Sequence, residues 1–227
     1  MHTGQGQIAE LILEDGGRLV RIACPPNLVP APGQYLLANH ASDSLLPVPV
    51  FYTDSAAEGF VGAPLTLESW SPGQELHLRG PLGHGFELST AARKVALVAF
   101  DASAVRLRGL IKPALRQDAA VVLVSDYPSE RLPDEVEVQP LSTLADVISW
   151  ADYVALDTAR ETLHQLGDKL GGLSQFPAVR EAQILIRTAM PCGGVAECGV
   201  CAVSLKSGWK LACKDGPVLN WRELGEG

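Results

Sequence analysis

Hydrophobic and polar positions divide the chain into three stretches of different rhythm. Over the first ~90 residues, QIAELILED, RLVRIACP, QYLLANH, LLPVPVFYT and QELHLRGP are short apolar or alternating runs interrupted by Gly and Pro. So many short strands predict a small antiparallel barrel or sandwich. APGQ at 31–34 and SPGQ at 71–74 read as turns, because Pro presets φ and Gly permits positive φ just before an extended run. The middle stretch changes character. KVALVAF (94–100) and AAVVLVSD (119–126) are continuously apolar, the mark of strands buried on both faces. Between them Val105, Leu107, Leu110, Ile111 and Leu115 have helix-like spacing, with Pro113 expected to kink or shorten the helix. VEVQP, LADVISWA, DYVALD, ARETLHQLGDKL and AQILIRT continue a strand–helix alternation that predicts a parallel α/β layer. After residue 187 comes a cysteine segment, in which AVSLKSGWKLAC reads as a hairpin turning at Ser207-Gly208. The expected organisation is an α+β, multidomain chain: an antiparallel barrel over 1–90, an α/β layer over 91–187 and a metal-binding module over 188–227.

Composition narrows the classes of function. Of 227 residues, 47% are hydrophobic and 19% charged, which suits a folded core. The formal net charge of −8 argues against sequence-independent nucleic-acid binding, which needs a basic surface. No apolar run approaches the roughly 18–20 residues of a membrane helix. The segment MHTGQGQIAELILEDGG lacks the basic-then-apolar order of a signal peptide, so a cytoplasmic protein is expected. Clustered cysteines fit a reducing compartment, where they act as metal ligands.

Cys192, Cys198, Cys201 and Cys213 follow the spacing C-x5-C-x2-C-x11-C, and Cys24 lies far away. Four thiolates make a complete ligand set for iron–sulfur or zinc. Three on one glycine-containing loop and a fourth from a later segment favour a [2Fe–2S] cluster. The plant-type pattern differs by one residue in the first gap. Structural zinc sites usually use two C-x2-C knuckles, and only one is present; zinc and free thiols stay open as alternatives. Cys24, before Pro25-Pro26, reads as a small buried hydrophobe rather than a reactive thiol. His84 reads as a turn residue or a flavin-facing side chain, Tyr52 as a core aromatic or a flavin-stacking ring, and Trp209 as a cluster shield or a hairpin packing residue. No Ser/His/Asp or Cys/His constellation is visible, so no catalytic residue is assigned.

The order of barrel, α/β layer and cluster module resembles the flavodoxin-reductase-like family. A closer resemblance is to the electron-transfer subunit of the two-subunit, NAD-linked dihydroorotate dehydrogenase. It is carried by the cysteine loop, by Cys213-Lys214-Asp215-Gly216-Pro217-Val218 and by GPLGHGF at 80–86, with PGQY at 32–35 matching a barrel-strand start. The resemblance spans the whole chain in element order and is motif-specific at 80–86 and 192–218. It implies a [2Fe–2S] cluster on the four cysteines, FAD in the barrel at Pro49, Tyr52, Gly62, Gly80, Leu82 and Gly83, and NAD on the α/β layer. It also implies pyrimidine synthesis as context and a catalytic oxidoreductase subunit as partner in a hetero-oligomer.

Two segments depart from that pattern. Val48 stands where the family has a phosphate-binding Arg, Phe51 where it has a hydroxyl residue, and the phosphate patch reads Gly62-Ala63-Pro64. After VALVAF the chain runs Asp101-Ala102-Ser103-Ala104, with no glycine before Gly109, and Asp101 would repel a phosphate. NAD is therefore not expected to bind. The main functional expectation is an iron–sulfur, flavin-linked electron-transfer subunit rather than a complete enzyme. The alternative is a non-catalytic assembly subunit that keeps the cluster without nucleotide chemistry. An iron–sulfur redox sensor ranks below both, for want of a DNA-binding element.

Overall fold

A computed structural model describes the chain except residues 15–16, 41–45, 67–69, 128–130, 173–180 and 226–227. Six antiparallel strands close a barrel in the order β1-β2-β5-β4-β3-β6: β1 His2–Glu14, β2 Gly17–Ala23, β3 Tyr35–Asn39, β4 Val48–Ser55, β5 Phe60–Pro64 and β6 Glu75–Leu82. Alternation sorts their side chains. Leu36, Ala38, Val48 and Val50 point inward with Ile8, Ile22, Phe60 and Leu78, whereas Tyr35, Leu37 and Phe51 face away into a second core. The pairings Leu36↔Val50 and Tyr35↔Phe51 keep the two sets in step. The sequence rhythm does not show β5. Its five residues, Phe-Val-Gly-Ala-Pro, are too short and too rich in Gly and Pro to show a strand rhythm.

The second layer is a six-stranded sheet in the order β14-β11-β10-β7-β8-β9. Five strands are parallel: β7 Lys94–Ala99, β8 Ala120–Val124, β9 Val136–Gln139, β10 Tyr153–Ala159 and β11 Glu181–Arg187. One face packs on the segment after β7. That segment forms two 3-10 turns, Ala104–Arg106 and Arg108–Leu110, and then the short helix α1 Ile111–Arg116. Pro113 stands in the first turn of α1, where its missing N–H costs nothing. The other face packs on α2 Leu144–Trp150, α3 Leu163–Lys169 and the cysteine segment.

That segment is woven into the sheet. After the hairpin of β12 Ala202–Leu205 and β13 Gly208–Leu211, β14 Val218–Asn220 runs antiparallel to β11. Trp221 and Leu224 behind it are buried. No described helix is long and apolar enough to cross a membrane.

Candidate metal centre and its seat on the barrel

The loop after β11 carries Cys192, Cys198 and Cys201, and the hairpin returns the chain to supply Cys213. Register does this work: Ala202 pairs with Leu211, and the Ala212 N–H donates to the Cys201 carbonyl at 3.0 Å, so Cys213 arrives beside Cys201. The hairpin turns at Lys206-Ser207, and Gly208, with φ +126°, opens β13. The loop curls through left-handed backbone at Gly193 (+62°), Gly194 (+73°), Ala196 (+65°) and Gly199 (+69°). Both glycines of the lengthened first gap thus take conformations that side chains rarely adopt.

Cys192 lies close to Cys198, and Cys213 feels both Cys201 and Cys192. The backbone N–H groups of Ala196, Glu197 and Cys198 are directed at the Cys192 sulfur, and the Ala196 N–H also at Cys213. Desolvation pushes the Cys192 thiol up, but hydrogen bonds from Cys198 and these amides outweigh it and bring it down to about 6. Burial pushes the Cys213 thiol up to about 12, helped by the neighbouring Cys201 and Cys192. Among the described residues, no three His, Cys, Asp or Glu side chains are grouped to hold one metal ion. Thiols on one loop and its returning hairpin, with backbone N–H groups close to their sulfurs, fit an iron–sulfur cluster, because such N–H groups stabilise its negative charge.

The loop sits on the barrel's outer face. A Cβ on Gly194 would lie 3.0 Å from the Tyr35 hydroxyl, and one on Gly193 would lie 3.2 Å from Pro47 and 3.4 Å from Arg79 Nη2. Tyr35, fully buried, donates its hydroxyl to the Cys213 carbonyl at 2.9 Å. On the opposite side Arg160 Nη1 donates to the carbonyls of Val200 and, at 3.4 Å, Ala202. Cys201 and Cys213 are buried, Cys192 is half-buried and Cys198 is exposed. Val195 and Val200 stand exposed beside it, and Trp209 on the hairpin is 69% exposed.

The residues expected to meet a flavin are distributed as follows. Tyr52 stacks on Phe60, ring centroids 6.2 Å apart, and its edge meets Gly109 of the second layer. Gly62 faces the barrel interior, where a Cβ would lie 2.4 Å from Val50 Cγ1. Val48 is buried in that interior too, so a longer cation there would have no outlet. Pro49 is buried opposite Leu37. Gly80 packs on Leu36, and Leu82 lies near Gly194. Gly83, with φ +73°, approaches the Gly216 carbonyl and Pro217, where a Cβ would come within 2.5 Å of each. The adjacent His84 N–H donates to the Gly216 carbonyl at 2.6 Å. The two family-like motifs, GPLGHGF and CKDGPV, therefore meet in one junction between barrel and cysteine segment. Tyr35 ends the PGQY match at 32–35, but nothing in the sequence marks its bond to Cys213, nor the contacts of Arg79 and Arg160, because each acts across a distance in sequence.

Comparison with known proteins agrees with this geometry. Residues 188–225 match the family model described as the iron–sulfur cluster binding domain of dihydroorotate dehydrogenase B. A curated relative, the electron transfer subunit of dihydroorotate dehydrogenase B (NAD(+)) from Clostridium perfringens, is 27% identical over 173 residues, covering 67% of each chain. Among solved structures, the NADH-dependent reduced ferredoxin-NADP oxidoreductase, studied for flavin-based electron bifurcation, superimposes with a TM-score of 0.74 at 15% identity. The match covers 97% of this chain and 89% of that one. A ferredoxin NADP+ reductase from Neisseria gonorrhoeae with bound FAD and NADP follows at a TM-score of 0.55 and 12% identity, over 82% of this chain and 98% of that one. The cysteine segment is thus similar to the iron–sulfur domain of dihydroorotate dehydrogenase B, the chain as a whole is similar to an electron transfer subunit of that enzyme, and its fold is ferredoxin-reductase-like.

Proposed function

We propose that this protein is an electron-transfer subunit. Cys192, Cys198, Cys201 and Cys213 hold a [2Fe–2S] cluster that relays single electrons to or from a partner oxidoreductase, a dihydroorotate dehydrogenase-like catalytic subunit in a hetero-oligomer. The observation that carries this reading is that one loop and its returning hairpin bring Cys192 close to Cys198 and Cys213 close to Cys201, with backbone amides near the Cys192 sulfur and Cys198 exposed. When bound, the cluster supplies a site that takes up and returns one electron. The chain's own residues do the rest. Ala196, Glu197 and Cys198 present N–H groups to the sulfurs. Tyr35 and Arg160 fix the two sides of the loop. Exposed Val195 and Val200 flank Cys198, leaving an apolar rim through which a partner can approach.

In this reading residues 1–90 and 91–187 form a scaffold and 188–227 the redox module, and the protein works in the cytoplasm, where thiols stay reduced. The expected outcome is direct. Protein purified without air shows the broad visible absorption of a [2Fe–2S] centre, bleached by dithionite and restored by a one-electron acceptor. A colourless protein with no bleachable band would refute the proposal.

A further inference from the structure

In open parallel sheets, ligands bind beyond the carboxyl ends of the strands where strand order reverses. Here the reversal lies between β7 and β10, since β8 and β9 extend the sheet one way and β10 and β11 the other. Four charged side chains occupy that point. Asp101 follows β7, Asp157 lies in β10, Arg187 ends β11 and Arg106 ends the first 3-10 turn. Arg187 Nε donates to Asp157 Oδ1 at 2.7 Å, and Arg187 Nη2 donates to Asp101. Asp101 Oδ2 also accepts the Ala159 N–H at 2.9 Å and the Thr162 hydroxyl, so it ties the end of β7 to the end of β10. Arg106 Nη1 lies 3.8 Å from Asp157 Oδ2, and the Asp157 side chain is 1% exposed. The two arginines balance the two aspartates, leaving no spare positive charge for a diphosphate.

The network reaches the barrel. The Arg106 guanidinium lies over the Phe51 ring, 5.7 Å from its centroid, and Phe51 lies 5.6 Å from the Tyr35 ring that ends on Cys213. Phe51 projects from the outer face of β4, whose neighbours on that face, Pro49 and Thr53, are also buried and uncharged. A planar ring slid between Phe51 and Arg106 would need two stacking contacts of about 3.5–4.0 Å each. The observed separation is smaller than their sum.

We infer that the cleft between barrel and sheet is closed to flavin and to nicotinamide dinucleotide by the chain's own Phe51–Arg106–Asp157–Arg187–Asp101 chain of contacts, so that among the described residues the four-cysteine centre alone carries electrons. This rests on the relay reading above and specifies its donor and acceptor. Reduced nicotinamide delivers a hydride, two electrons moving together, whereas one [2Fe–2S] centre accepts one. With no flavin in this chain to divide the pair, the donor is a one-electron carrier held by another protein. Donor and acceptor each exchange one electron with the centre, and no bond or proton changes hands in the relay.

The test is a flavin and nicotinamide titration of the natively purified protein under anaerobic conditions. Samples are incubated with FAD or FMN, desalted and assayed for retained flavin, iron and sulfide; NADH is then added. The inference predicts about two irons and two sulfides per chain, no retained flavin, no saturable quenching of flavin fluorescence, and a visible band that dithionite bleaches but NADH does not. Stoichiometric flavin retention, or bleaching by NADH, overturns the closed cleft while leaving the relay standing. Absence of iron and sulfide overturns the relay instead, and the flavin titration of that preparation still decides the cleft.

Discussion

One phenol joins the barrel to the metal loop. Tyr35 is fully buried, and its hydroxyl is a partner of the Cys213 carbonyl. Tyr35→Phe removes the donor without changing the shape of the ring and strands a buried acceptor, a loss of about 1–3 kcal/mol. The urea midpoint of the iron-loaded variant should fall accordingly; an unchanged midpoint would show that the bond contributes nothing. Cys24 makes a different prediction. Burial pushes its thiol up from 9.0 to about 11. Between those values the unfolded chain gives up a proton that the folded chain keeps, so folding stability drops as pH rises from about 9 toward 11. At pH 7 both states hold the proton and the group contributes no pH dependence. Thermal midpoints of the wild type should therefore decline more steeply across that window than those of Cys24→Ala. Parallel curves would contradict the assignment.

At the scale of elements, the decisive joint is where the end of β6 meets the turn after Cys213. Gly83 combines φ +73° with a Cβ position 2.5 Å from the Gly216 carbonyl oxygen and 2.5 Å from Pro217 Cδ, whereas Gly73 has φ +87° and nothing within 4 Å. Alanine at either site takes on left-handed strain of about 1–3 kcal/mol. Only Gly83→Ala also drives the Cys213 turn off the barrel. Iron loss to a chelator should accelerate in Gly83→Ala and not in Gly73→Ala; equal rates would show that the joint does not support the centre. Much of this architecture was legible in the sequence. Alternation marked five barrel strands, continuous apolar runs marked β7 and β8, and the cysteine spacing marked the loop. Local rhythm could not show β5, whose five residues contain Gly and Pro, nor the breaking of residues 104–116 into two 3-10 turns and a short helix. The contacts of Tyr35, Arg160 and Arg106 were invisible for a further reason: each joins elements separated by tens of residues.

Over the whole molecule, the cysteine segment is less a separate appendage than the third wall of one core. β14 completes the sheet, Trp221 and Leu224 fill the space behind it, and Tyr35, Phe51, Cys201 and Cys213 share a hydrophobic cluster with the sheet's inner face. A ferredoxin-reductase-like scaffold is thereby organised around the metal loop, with a buried ionic network at the strand reversal and an apolar rim at Cys198. The central claim is that the four cysteines hold a binuclear iron–sulfur cluster. Its most direct test is the iron, acid-labile sulfide and zinc content of natively purified wild-type protein beside Cys198→Ser. The account predicts about two irons and two sulfides per wild-type chain and a marked loss of both in the variant; one zinc per chain without sulfide, or full iron content in Cys198→Ser, would contradict it.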